Sequence, residues 1–127
     1  GLTQLSARLD PLLPDVDDDR ERLCWLLDRV AEAGARQVTA SYLFLTPLCH
    51  RDRLSRRPYL ERAATACTEL CRVREGAVWS VPLKRKQHTY QWLHEECQRR
   101  GLIFTTCGCK DLRLSQVSYP TCCSAPF

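Results

Sequence analysis

Residues 5–45 read LSARLDPLLPDVDDDRERLCWLLDRVAEAGARQVTASYLFL, and this stretch decides the fold. Leu5, Ala7 and Leu9 alternate with polar neighbours, the period of a half-buried strand, which is expected to run to Asp10. Pro11 and Pro14 then interrupt the regular backbone, because neither has an N–H to give to a ladder. An acidic run from Asp15 to Asp19 follows, and Asp18-Asp19-Arg20-Glu21 fits a capping box at a helix start. Leu23, Leu26, Leu27, Val30 and Ala31 recur on one helical face, and Gly34 stands where a left-handed C-cap belongs. Across residues 36–45 the pattern turns β-rich through Val38, Tyr42, Phe44 and Leu45. Strand, helix and strand at this spacing make a βαβ unit, so the two strands are expected to be parallel neighbours.

Downstream, Pro58 suits a first helical turn. Leu60, Ala63, Ala64, Cys67 and Leu70 or Cys71 supply an apolar stripe for a helix that Gly76 would close. Residues 77–83 read as a short strand or a loop. A third helix is expected over residues 86–100, with Tyr90, Leu93 and Cys97 inward and Gly101 as its stop. Residues 102–105 then form a short strand ending at Cys107. The fold class is α/β: about three parallel strands, three main helices and a Cys-rich C-terminal tail over residues 107–127. Three parallel strands leave two open edges, which points to the back part of a larger barrel or sheet. The lack of any methionine in a chain starting at Gly1 agrees with that expectation of a fragment, read as a single unit over residues 1–127.

Composition narrows the classes. At 127 residues, 44% hydrophobic and 27% charged, the chain is one globular domain's worth of material, neither disordered nor a coiled coil. Its longest apolar run, Tyr42-Leu43-Phe44-Leu45, is far short of the ~20 residues that span a bilayer. The start lacks the basic-then-apolar pattern of a secretory signal. Nine cysteines, an odd number, argue against a secreted disulfide framework, so a cytoplasmic protein with metal-binding, catalytic or buried thiols is expected. The net charge of +4 rests on sixteen arginines and three lysines. Arginines cluster at Arg51, Arg53, Arg56 and Arg57, and basic residues again at Lys84-Arg85-Lys86 and Arg99-Arg100. Such patches either follow a nucleic-acid backbone or are solvated loops and helix ends.

Two constellations carry chemistry. Cys107-Gly108-Cys109 and Cys122-Cys123 offer soft thiolate ligands for an iron–sulfur cluster or zinc, and Gly108 lets the backbone fold tightly between two sulfurs. The alternative is a few buried thiols with one disulfide. Arg8 and Asp10 flank Leu9, so on a strand they share a face with Ser6. They suit binding of a carboxylate or a ribose, with Arg8 as a bidentate clamp, or an ion pair with each other. Ser41 and Tyr42 on the second strand are candidate supporting polar groups. Cys49-His50 ends that strand, Cys67-x3-Cys71 would set two sulfurs one helical turn apart, and Cys24 and Cys97 read as core thiols. His88 and His94 read as surface residues. There is no Gly-rich phosphate loop, nucleophile elbow or H-E-x-x-H.

The run Ala7-Arg8-Leu9-Asp10-Pro11-Leu12-Leu13-Pro14, then Asp17-Asp18-Asp19, a Leu-rich helix and Ala33-Gly34, resembles radical SAM proteins of the spore photoproduct lyase-like, or DNA-repair-photolyase-like, group. Gly101-Leu102-x-Phe104-x-x-Cys107-Gly108-Cys109-Lys110-Asp111 is similar to their C-terminal part. The resemblance implies a partial (β/α) barrel and a parent enzyme that cleaves S-adenosylmethionine reductively with a [4Fe–4S] cluster. It also implies that Arg8, Asp10 and Ser41 lie near the small-molecule cofactor. Cys107, Cys109, Cys122 and Cys123 would be auxiliary ligands for a second iron–sulfur cluster or zinc. The chain departs from the family at its cluster motif, C-x3-C-x2-C: Cys67-x3-Cys71 would need a cysteine where Arg74 stands. The motif is expected upstream, and this chain alone is expected to be inactive. Two other readings compete: a zinc-stapled nucleic-acid-binding module built from the arginine clusters and tail cysteines, and a truncated product with buried thiols.

Overall fold

The computed structural model describes residues 5–46, 54, 56–73, 76–107 and 111–114. In chain order these form β1 (Ser6–Leu12), α1 (Arg20–Glu32), β2 (Gln37–Tyr42), β3 (Phe44–Leu45), α2 (Pro58–Thr65), β4 (Glu69–Val73), β5 (Gly76–Ser80), α3 (Leu83–Arg99) and β6 (Ile103–Thr106), then a 3-10 turn at Leu112–Leu114. The strands make two sheets: one ordered β1-β2-β6, the other β3-β5-β4. The first is parallel throughout, with Ala7 opposite Val38 and Val38 opposite Phe104. The second is antiparallel.

Local chemistry explains the two long helices. Asp19 caps α1, its carboxylate accepting from the Arg22 N–H at 3.2 Å. Both helices end in the same way, with the chain reversing through a left-handed glycine. At α1, Gly34 has φ +86°, and the Gly34 and Ala35 N–H groups donate back to the Ala31 and Val30 carbonyls. At α3, Gly101 has φ +71°, and the Gly101 and Leu102 N–H groups donate to Gln98 and Cys97.

Both helices serve one core. Leu23 and Leu27 of α1 and Tyr90, Leu93 and Cys97 of α3 pack with Val38, Ala40, Tyr42 and Phe104 of the parallel sheet. Burying each large side chain contributes about 1.5–3 kcal/mol. The sequence therefore predicted the parallel βαβ unit, the three main helices and the inward face of α3 correctly.

Three expectations need correction. The first strand does not stop at Asp10 but runs through Pro11 to Leu12, with a register irregularity between Leu9 and Leu12. An edge strand tolerates the missing proline N–H. Residues 36–45 are not one strand, because the chain leaves β2 after Tyr42 and enters the second sheet as β3. The expected helix over Cys67 and Cys71 ends at Thr65, capped by Ala66; Glu69–Val73 is a strand whose Cys71 pairs with Val78 and Val73 with Gly76. The apolar stripe fitted a helix over this stretch, but the antiparallel pairing of β4 with β5 and the burial of Cys71 and Val78 outweigh it. Gly76 opens β5 instead of closing a helix, and α3 starts three residues earlier than expected, at Leu83.

Candidate functional site

Side chains alternate across the parallel sheet, so its two faces differ in character. Val38, Ala40 and Tyr42 face the helices, while Gln37, Thr39 and Ser41 fall on the opposite face, where all three are buried. Arg8 pairs in register with Thr39, and Thr39 with Thr105. That opposite face is polar. The Thr39 and Thr105 hydroxyls lie 2.7 Å apart, and the Gln37 Nε2 donates to both at 3.5 Å. The other amide atom of Gln37, Oε1, is buried and has no hydrogen-bond partner among the described residues. Thr106 braces the strands from the other side, donating to the Ala40 carbonyl at 2.9 Å.

The predicted site residues gather on this sheet. Arg8 Nη2 donates to Asp10 Oδ2 at 3.0 Å, so the two do share a face and are ion-paired. The Arg8 side chain is 53% exposed and that of Asp10 only 16%, which leaves the guanidinium accessible to a further acceptor. Ser41 is buried near the C-terminal end of β2. Cys107, a free and half-buried thiol, directly follows β6. Asp10, Ser41 and Cys107 thus lie towards the C-terminal ends of three neighbouring strands, where α/β proteins build ligand sites, while Arg8 sits nearer the start of β1, opposite Thr39. Cys109, Cys122, Cys123 and the Cys49-His50 pair lie outside the described residues. Among the described residues no three His, Cys, Asp or Glu side chains are placed to hold a metal.

Sequence reading missed two networks. At the C-terminal end of β2 the Tyr42 hydroxyl donates to Asp18 Oδ2 at 2.7 Å, and Arg85 Nη2 reaches the same oxygen at 2.6 Å and Asp15 Oδ1 at 2.7 Å. Tyr90 stacks on Tyr42 and accepts the Tyr42 backbone N–H at 2.9 Å. These contacts pin the acidic loop onto β2 and the first turn of α3.

The second network is centred on three buried residues, Ser80, Lys86 and Asp111. Lys86 Nζ donates to Ser80 Oγ at 2.7 Å and Asp111 Oδ2 at 2.8 Å. Arg113 grips both Asp111 oxygens, at 2.8 and 2.9 Å, and reaches Glu69 Oε1 at 2.7 Å. Cys71 lies against this group, and burial, helped by the Asp111 charge, pushes its thiol pKa up. Burial likewise pushes the Cys97 thiol up to about 12. Both thiols are held protonated and are poor nucleophiles. The signal for Lys86 was its helical phase, four residues before Tyr90 on the inward face of α3.

These ion pairs also occupy much of the basic charge. Arg85 and Lys86 are taken by aspartates, Arg99 by Glu96, and Arg100 by Asp28 and Glu96. His88 is exposed and sits 2.9 Å from Arg20, as a surface residue should. His94, also expected at the surface, is half-buried beside Phe104.

The acidic members set a pH dependence. Burial works against the Asp18 charge, yet the Arg85 guanidinium and Tyr42 hydroxyl hold its carboxyl below the ordinary 3.8. Burial opposes the Asp111 charge too, but Arg113 and Lys86 hold that carboxyl low as well. Each carboxyl titrates lower in the folded chain than in the unfolded one, so the unfolded state takes up protons first as pH falls. Their stabilisation is whole above the ordinary value of 3.8 and disappears as pH drops through the folded values. Urea midpoints measured at stepped pH below 4.5 (roughly the top of the carboxylate range) should fall less steeply for Asp18→Asn than for the native chain. Equal slopes would refute the assignment.

No described helix is long and apolar enough to cross a membrane. Compared with models of protein families, with curated proteins and with solved structures, the chain matches none.

Proposed function

We propose that the chain is the C-terminal part of a radical SAM protein of the spore photoproduct lyase-like group, forming one wall of its (β/α) barrel. The observation that carries this reading is the face of the parallel sheet turned away from helices α1 and α3, where Gln37, Thr39, Ser41 and Thr105 are polar and buried. A doubly wound sheet carries helices on both faces and reads as apolar on both. A barrel wall has helices outside and an interior that can hold a ligand. The strand order β1-β2-β6 follows the chain without reversal, as successive barrel strands do.

In this reading the polar residues of this sheet face grip the cofactor. Arg8, steadied by Asp10, offers its remaining guanidinium N–H groups to a carboxylate, and S-adenosylmethionine carries one. The amide oxygen of Gln37, buried and without a partner among the described residues, leaves this face hydrogen-bonding capacity. When bound, S-adenosylmethionine with the cluster supplies the radical chemistry of the parent. In this reading the cluster's own ligands would come from another part of the parent, and Cys107 with Cys109, Cys122 and Cys123 would serve as an auxiliary thiolate set for a second cluster or zinc.

Arg8→Gln in the full-length parent tests the grip. Losing a charge-assisted hydrogen bond costs about 1.5–3 kcal/mol, so S-adenosylmethionine should bind roughly 10- to 100-fold more weakly while iron content stays the same. Native affinity in that variant would remove Arg8 from the site.

A further inference from the structure

A cleft of about 400 Å³ opens between α1 and the edge strand β1, within the roughly 300–1,000 Å³ of small-molecule sites. Leu9 and Leu12 form its floor on β1, and Leu23 and Leu26 its wall on α1. Leu9 and Leu12 pair in register with Ala40 and Tyr42, so the cleft lies on the helix-covered side of the sheet. Arg8 and Asp10 project to the other side. The cleft is therefore separate from the polar face, and a ligand there stands or falls without the radical SAM reading.

Charge at the rim favours an anion. Arg22 is exposed, belongs to the first turn of α1, and its guanidinium has no partner among the described residues. The positive end of the helix dipole adds to its charge. Asp17, also at the rim, is engaged with the Leu13 N–H at 3.0 Å. Arg29 is spent as well, held by Glu32 and lying over the Trp25 indole at 5.3 Å from the ring centre.

The apolar lining sets the rest of the ligand. Trp25, at the lip, is 60% exposed, the most exposed of the large apolar side chains described. Large apolar surface left open beside a concave site marks a place where a ligand adds burial. The other apolar lining residues are aliphatic and Arg29 already lies over the indole, so an alkyl chain fits better than a flat ring.

We propose that the cleft binds a free fatty-acid-type carboxylate, its alkyl chain along Leu9, Leu12 and Leu26 beside the indole, its head on Arg22. The guanidinium fork can give such a head two parallel N–H donors. The chain buries the open indole, and the head supplies the counter-charge that Arg22 lacks among the described residues.

Titration calorimetry of the 127-residue chain with dodecanoate, kept below its micelle concentration, tests the site. A single equivalent should bind saturably. Hexanoate should bind more weakly, by up to about fourfold for each methylene removed. Arg22→Gln changes an exposed side chain and should weaken dodecanoate binding roughly 10- to 100-fold, the worth of a charge-assisted hydrogen bond. Dodecyltrimethylammonium, the same tail on a cationic head, should not bind. Absence of saturable binding, native affinity in Arg22→Gln, or equal binding of the cationic amphiphile would overturn the proposal. Tighter binding of 1-naphthoate than of dodecanoate would assign the cleft to flat aromatic acids and overturn it too.

Discussion

Asp111→Asn is expected to cost the fold about 3–5 kcal/mol, because it leaves two cations facing a neutral amide in a buried site. Asp111 is 1% exposed and is the shared acceptor of Lys86 and Arg113. Lys86 is 3% exposed, and its other contact is the Ser80 hydroxyl, which cannot balance a charge. The loss should be uneven between partners. Replacing Lys86 and Asp111 together with Met and Leu should cost less than the Asp111 change alone, since removing both members of a buried pair avoids the orphaned charge. Arg113 then keeps Glu69 and the Val81 carbonyl. Urea titrations with an unchanged slope would give the differences directly. A cost below about 1 kcal/mol for Asp111→Asn, the level of an ordinary surface change, would mean the network does not close in solution.

Phe104→Ala should cost a similar amount, about 3–5 kcal/mol, by opening a cavity where the parallel sheet meets α3. Phe104 is 1% exposed, sits beside Val38 in register, and its ring lies 5.9 Å from that of Tyr90. The thermal midpoint should drop by roughly 10–20 °C. Ile103, its neighbour on β6, points the other way and is 49% exposed. Ile103→Ala should therefore stay within about 1 kcal/mol of native. If Ile103→Ala costs more than Phe104→Ala, the strand is out of register by one residue, because a single slip exchanges its faces.

What the sequence made legible was local and periodic. Helix α1 has a capping aspartate (Asp19), an apolar stripe and a glycine stop (Gly34) in one short stretch, and each signal is read from neighbours in the chain. The same holds for the inward face of α3 and for Arg8 and Asp10, which alternation alone puts on one side of β1. What stayed hidden depends on distant partners. Lys86 looks like part of a basic surface run until Asp111, 25 residues later, supplies its counter-charge. The acidic run before α1 looks like a helix lead-in, yet Asp18 is held by Arg85, 67 residues away. The second sheet was missed because β3 is only two residues long and β4 carries an apolar spacing that also fits a helix.

For the candidate site, strand alternation predicted the shared face of Arg8 and Asp10, and the structure adds their ion pair and the buried hydroxyl pair of Thr39 and Thr105. Threonines are common strand residues on propensity grounds. Only the parallel register of β2 with β6 distinguishes these two as a polar layer.

The most direct measurement uses the full-length polypeptide that contains these 127 residues. Purified without oxygen and reconstituted with iron and sulfide, it should show the absorbance of an iron–sulfur cluster. Given a reductant and S-adenosylmethionine, it should release methionine and 5′-deoxyadenosine. A protein that binds no iron and sulfide and leaves S-adenosylmethionine intact would contradict the account.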